Sequence, residues 1–251
     1  MFRSLLDPRS PTSARYDARV PVAILAPMEP ELRPLVRPLG LRRDPGAELW
    51  SGRLGGTDVL AAITGIGTGP AARAAERILG AAPISHLVVV GVAGGIGPSV
   101  AIGDLVVPER VVDLETGAAA TPSRVGPVAP RGALFTSGEL QTDPALIARL
   151  EREGAVAIDM ETAAIAAVCA RRGCRWSVFR AISDRADDGT SDPAILALGG
   201  PDGSGDLRAV ARFLLRQPWR IPELARLARG LRLATTRAAR ATLEAIATLQ
   251  P

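Results

Sequence analysis

Two short acidic clusters hold the side chains of this chain best suited to chemistry: Asp159-Met160-Glu161, and further along Ser183-Asp184. A carboxylate can accept hydrogen bonds from a pair of hydroxyls, and a carboxylic acid that keeps its proton near neutral pH can protonate a leaving group. Two such groups at the mouths of neighbouring strands are suited to gripping a ribose and protonating the base that departs from it.

The residues between the clusters say how they are positioned. Ala155-Val156-Ala157-Ile158 is a short apolar run, and Thr162 to Arg172 repeats Ala and Ile at helical spacing until Gly173 can cap it. Trp176 to Ile182 then reads as a second strand. Strand, helix, strand predicts a right-handed parallel crossover with both strand ends on one edge of the sheet, where α/β folds bind ligands. Glu161 and Asp184 are therefore expected to face a common crevice.

The rest of the chain supplies the frame. Residues 1–19 read as a loose leader rich in Pro, Ser and Arg, and residues 20–251 as one domain. Val20 to Leu25 is the first expected strand, followed by a helix starting near Glu29 or Glu31. Leu49 to Leu54 and Val59 to Thr64 flank Gly55-Gly56, a hairpin signal. A helix opens at Gly69-Pro70 and ends near Gly80. Strands follow at Leu87 to Val90, Asp104 to Val112 and Ala133 to Ser137. Thr142-Asp143-Pro144 begins a helix that Gly154 stops. Gly199 to Gly205 reads as a loop before basic helices over residues 206–251. The sum is an α/β fold: a central, largely parallel, mixed sheet flanked by helices.

Two glycine-bearing turns follow strands, Thr64-Gly65-Ile66-Gly67-Thr68-Gly69 and Gly91 to Gly97. Glycines let backbone N–H groups approach an anion or a hydroxyl oxygen closely. The spacing of the first departs from the dinucleotide fingerprint, and each turn alone is ordinary loop chemistry.

Composition narrows the classes. A chain of 251 residues that is 47% hydrophobic can bury one sizeable core, and no apolar run spans a bilayer. A cytoplasmic protein is expected. There is no lysine, and from Asp206 onward nine arginines face three acidic residues, a surplus of six against a whole-chain charge of +4. The basic character thus belongs to the tail, whose arginines recur at helical steps like a solvated face. With aromatics at 3%, stacking platforms for nucleic acid are scarce, while contact with an anionic membrane surface stays open. Cys169 and Cys174 read as reduced and structural, and the single histidine, His86, as a satisfied strand-end residue. Nothing calls for a metal or an organic cofactor.

Four ordered motifs carry a resemblance: Val88-Val89-Val90-Gly91-Val92-Ala93-Gly94-Gly95-Ile96, Ile102-Gly103-Asp104-Leu105-Val106-Val107, Ala157-Ile158-Asp159-Met160-Glu161-Thr162-Ala163-Ala164, and Arg180-Ala181-Ile182-Ser183-Asp184-Arg185-Ala186-Asp187. From about Val20 to Asp188 the chain resembles the nucleoside phosphorylase and nucleosidase superfamily, and within it the methylthioadenosine/S-adenosylhomocysteine nucleosidase branch.

The resemblance implies a purine nucleoside hydrolase acting on a 5′-substituted adenosine. Glu161 matches the family's ribose-binding glutamate, and Met160 would pack against the sugar. Asp184 matches the acid that protonates the purine, with Ser183 beside it. Glu31 matches the glutamate that orients the attacking water, although by itself it reads equally as a first-turn helix acid. Ala93, Gly94, Gly67, Thr68 and Gln141 complete the implied substrate contacts. The partners implied are a nucleoside, water or phosphate as co-substrate, and a second copy of the chain in a dimer or hexamer.

Three departures bear on the substrate. Gln141 stands where an aromatic residue stacks on adenine, and Val92 where a small hydroxyl residue is usual. The tail, from Gly200-Pro201-Asp202-Gly203 through Leu207 to Leu215 and Pro218 to Arg229, looks more like hopanoid-associated nucleoside phosphorylases, which implies an adenosyl lipid as an alternative substrate. Phosphorolysis is the alternative to hydrolysis, since Gly67-Thr68-Gly69 could cradle an anion, although the acids of Pro27-Met28-Glu29-Pro30-Glu31 would repel a phosphate dianion. A nucleoside-binding homologue without chemistry is the reading from another class.

Overall fold

The computed structural model describes residues 20–44, 46, 48–185, 217 and 220–249, except the side chains of residues 221 and 223. The expected leader, the Gly199–Gly205 loop, the Leu207–Leu215 helix and Asp187 lie outside the described residues.

Eleven strands form one mixed sheet: β1 (Val22–Ala26), β2 (Arg42–Arg43), β3 (Trp50–Leu54), β4 (Thr57–Ile63), β5 (His86–Gly95), β6 (Leu105–Val106), β7 (Arg110–Asp113), β8 (Ala119–Ala120), β9 (Ala133–Thr136), β10 (Ala155–Asp159) and β11 (Trp176–Arg185). The helices among the described residues are α1 (Glu29–Val36), α2 (Thr68–Ala81), α3 (Pro144–Arg152), α4 (Thr162–Arg172) and α5 (Ile221–Thr248). The path runs β2-β3-β4-β1-β5-β10-β9-β7-β8, while β11 lies on the other side of β5 and carries β6.

Several elements follow local signals. β3 and β4 form an antiparallel hairpin in which Leu54 faces Thr57 across Gly55-Gly56, with Gly55 at φ +56°. The Asp143 carboxylate caps α3 by accepting from the N–H of Ala145 at 2.9 Å. Gly173, left-handed at φ +65°, ends α4.

Alternation along the strands divides the core into two layers. Leu25, Leu87, Val89, Val178 and Ile182 pack with Ile78 of α2 and Ile165 and Val168 of α4. Their neighbours Ile24, Val88, Val90, Phe179 and Ala181 pack with Leu32 and Leu35 of α1 and Ala234, Ala238 and Ala245 of α5. The apolar face of α5 is thus taken up by the sheet, while Arg226, Arg229, Arg232, Arg237 and Arg240 are exposed. Among the described residues no helix is long and apolar enough to cross a membrane.

Three expectations need correction. Asp104 to Val112 is two strands, not one, because Pro108 has no N–H for a ladder. β5 does not stop at Val90 but runs through the second glycine turn to Gly95, because β11 pairs with it all the way to Arg185. β10 and β11 are not joined as neighbouring parallel strands. β5 lies between them, parallel to β11 but antiparallel to β10, which meets only its end at Gly94 and Gly95.

That arrangement opens the sheet. On one edge of β5, β1 pairs as far as Val89 and β10 joins only at Gly94. Between these points the Val92 backbone is served by side chains: its N–H donates to Oε1 of Glu31 at 2.8 Å, and its carbonyl accepts from Nη1 of Arg180 at 3.2 Å.

Candidate active site

Arg180 is the hub of the opening. It sits mid-strand in β11 at 0% exposure, in register with Gly91. Its Nη2 lies 2.7 Å from Oδ2 of Asp159 and 3.0 Å from Oε2 of Glu161, and its Nη1 lies 3.7 Å from Oε1 of Glu31. Burial works against the guanidinium's charge, but Asp159, Glu161 and Glu31 together outweigh it and raise its pKa further. Gly91 makes the meeting sterically feasible: a Cβ there would collide with both Oε1 of Glu31 and Nη1 of Arg180.

Each carboxylate reaches the hub differently. Glu31, in the first turn of α1, accepts the N–H of Met28 at 2.7 Å as well as that of Val92. Glu29 of the same turn points to solvent and takes no part. Glu161 stands at the N-terminus of α4 and accepts the N–H of Gly67 at 3.0 Å. Gly67 holds a φ of +100° that favours glycine, and its loop is tied to the first loop by bonds from Thr64 N to Ala26 O and Gly65 N to Pro27 O. Asp159, at the end of β10, accepts from the hydroxyls of Thr136 and Thr162 and from the N–H of Thr162.

Burial pushes the Glu31 carboxyl up to about 8, the nearby Glu161 adding to the rise while Arg180 and the backbone donors oppose it. Glu161 is raised by burial too, against the pull of Arg180 and with a further push from Asp159. One positive charge cannot neutralise three buried carboxylates, so the cluster retains protons at pH values where isolated carboxyls are ionised.

Asp184 belongs to the other flank of β5. The β11 ladder shifts register between Ile182 and Asp184, so Ser183 is the extra residue of a bulge. Its hydroxyl donates to Oδ1 of the half-buried Asp184. Asp184 faces Gly94 across the ladder, and Ile158, three residues before Glu161, faces the same glycine from the opposite edge. Gly94 therefore links the two acidic clusters, and buried Ala93 lies next to it opposite Ile182.

The other expected contacts divide. Half-buried Met160 lies between Asp159 and Glu161, and half-buried Thr68 opens α2 right after Gly67. Gln141 turns back into its own loop, its amide donating to Oγ of Ser137 at 2.8 Å. His86 is a core residue, its Nε2 3.0 Å from Oγ of Ser177, with burial lowering its pKa to about 4. Among the described residues no three His, Cys, Asp or Glu side chains are grouped to hold a metal ion.

The sequence points to Asp159 only as a member of its acidic cluster and assigns nothing to Arg180, Thr136 or Thr162. The available signal was a charged residue inside the apolar run Trp176–Ile182, since a buried arginine needs carboxylate partners.

A mixed α/β sheet in which the acid-bearing end of β10 and the first-turn Glu31 of α1 meet a buried arginine at an opening beside the central strand defines an α/β fold of the ligand-binding type. The Phosphorylase superfamily model matches residues 21–149 and 123–198, and the chain belongs to that superfamily. A 5′-methylthioadenosine/S-adenosylhomocysteine nucleosidase from Shewanella frigidimarina is 29% identical over 203 residues, covering 66% of this chain and 87% of the relative. Among solved structures, a nucleosidase of the same name from Colwellia psychrerythraea in complex with adenine superposes with a TM-score of 0.70 at 22% identity, over 92% of this chain and 96% of that one. The futalosine hydrolase of Helicobacter pylori gives 0.67 at 17% identity, over 91% and 97%.

Proposed function

We propose that this protein hydrolyses the N-glycosidic bond of a 5′-substituted adenosine of the methylthioadenosine and S-adenosylhomocysteine type. The observation that carries the reading is the placement of Glu31 and Glu161 around Arg180, with Asp184 across Gly94. The relative from Shewanella frigidimarina, named for this substrate pair, supports it.

In this reading the bond from the ribose to the purine breaks with its electron pair leaving on the base, and Asp184, oriented by Ser183, delivers a proton to the five-membered ring. Glu161 accepts the ribose hydroxyls and stabilises the positive charge growing on the sugar. Glu31 accepts a proton from the attacking water, whose oxygen bonds to the sugar carbon. A carboxylate whose pKa is raised is a stronger base for that transfer. Met160 packs on the sugar, while Ala93, Gly94, Gly67 and Thr68 line the substrate, and Gln141 joins them only by leaving its bond to Ser137.

Water is favoured over phosphate on electrostatic grounds. Arg180 already faces three carboxylates, so its charge is not left uncompensated for a phosphate dianion. We extend the reading to a homo-oligomer, with which the exposed apolar side chains of Ile66, Ile102, Leu140 and Leu233 are compatible. The exposed arginines of α5 are the face that would meet an anionic membrane.

The test is to incubate the protein with methylthioadenosine, S-adenosylhomocysteine, adenosine and inosine, with and without phosphate, and to follow free base and sugar. Adenine release from the first two without phosphate is expected. A strict phosphate requirement, or inertness toward all four, overturns the reading.

A further inference from the structure

Three carboxylates compete for the single charge of Arg180, and the closest is Asp159, which carries no part of the chemistry proposed above. It is also the best supplied with donors. The Thr136 hydroxyl reaches its Oδ1 at 2.6 Å, the Thr162 N–H reaches the same oxygen at 3.4 Å, and the Thr162 hydroxyl and Arg180 reach its Oδ2. Thr136 is itself held, accepting the N–H of Ala163 at 3.0 Å. Hydrogen bonds of this kind stabilise the charged form of a carboxyl group. The nearest N–H of Arg180 is therefore committed to Asp159, while burial raises both Glu31 and Glu161, which share the same guanidinium.

We propose that Asp159 is a positioning residue of this site: by holding the nearest N–H of Arg180, it leaves Glu31 incompletely neutralised and sets the pH at which Glu31 is free to take a proton from water. The groups facing Glu31 are Arg180 of β11 and Glu161 at the start of α4, with the N–H groups of Met28 and Val92, and Asp159 holds the other terminal nitrogen of the same guanidinium. Replacing Asp159 by asparagine removes one negative charge and releases Arg180 toward both glutamates. Both changes favour ionised Glu31. The inference rests on the proposed reading of Glu31 as the base.

The experiment is an infrared titration of protonated carboxyl groups in the full chain, paired with the pH profile of kcat/KM on methylthioadenosine. The native protein is expected to show a carboxyl band that fades as pH rises through about 8 and is missing from Glu31→Gln. In Asp159→Asn its midpoint and the acidic limb of the rate profile should both move down by about one pH unit, a tenfold change in proton affinity. Should that variant not fold, Thr136→Val, which weakens the anchoring of Asp159, must shift the midpoint the same way by less. An unmoved midpoint in a folded variant that still cleaves substrate overturns the role of Asp159. The titration needs no substrate, so a native protein that titrates as expected but releases no base overturns the functional reading alone.

Discussion

Gly230 of α5 lies directly against the carbonyl oxygen of Ser183, so close that a Cβ at position 230 would overlap it. Ser183 is the extra residue of the β11 bulge and donates to Asp184, so the tail helix braces the strand end that carries the proposed acid. Replacing Gly230 by alanine should displace that bulge. We expect kcat to fall about tenfold or more, equivalent to about 1.4 kcal/mol of transition-state stabilisation. The thermal midpoint should change less, because alanine's better helix propensity offsets part of the clash by about 1 kcal/mol. Steady-state kinetics with thermal unfolding checks both, and unchanged kcat would dissociate α5 from the site.

Asp184→Asn keeps the size of the side chain and its bond to Ser183 while removing the transferable proton. Turnover should drop by about 10²- to 10⁴-fold, the usual worth of a general acid. Asp184 is half-buried rather than part of the core, so the unfolding midpoint should stay near the native one. Near-normal release of adenine from a substrate the native protein cleaves would remove Asp184 from the mechanism.

Glu31→Gln should trade activity for stability in a pH-dependent way. The folded-state pKa of about 8 lies above the ordinary 4.5, so the native state binds this proton more tightly than the unfolded chain does. Its stabilising contribution is complete below the unfolded value and is lost as pH rises through the folded one. Glutamine cannot ionise. The thermal midpoint of the variant relative to the native protein should therefore rise between mildly acidic and alkaline pH, by about 2–4 °C for each kcal/mol recovered. The same variant should lose about 10²- to 10⁴-fold in kcat. A midpoint difference that does not vary with pH would contradict a buried, protonated Glu31.

Much of this molecule is determined by the sequence alone, because the signals are local. Gly55-Gly56 marks the hairpin, Asp143-Pro144 starts α3 and Gly173 ends α4, each through backbone preferences that need no distant partner. The acidic strand ends are legible in the same way, from an apolar run followed by a carboxylate. What the tertiary structure decided is which charges meet. Glu31 and Glu161 are 130 positions apart in the chain and come together only because β1 and β10 leave a gap on one edge of β5. The sequence shows Arg180 only as a charge inside an apolar run; packing β11 between β5 and β6 buries it completely, where no water is available to solvate it and Asp159, Glu161 and Glu31 must. The antiparallel approach of β10 and the bulge at Ser183 likewise follow from strand order, which is set by burial across the whole core rather than by any one segment.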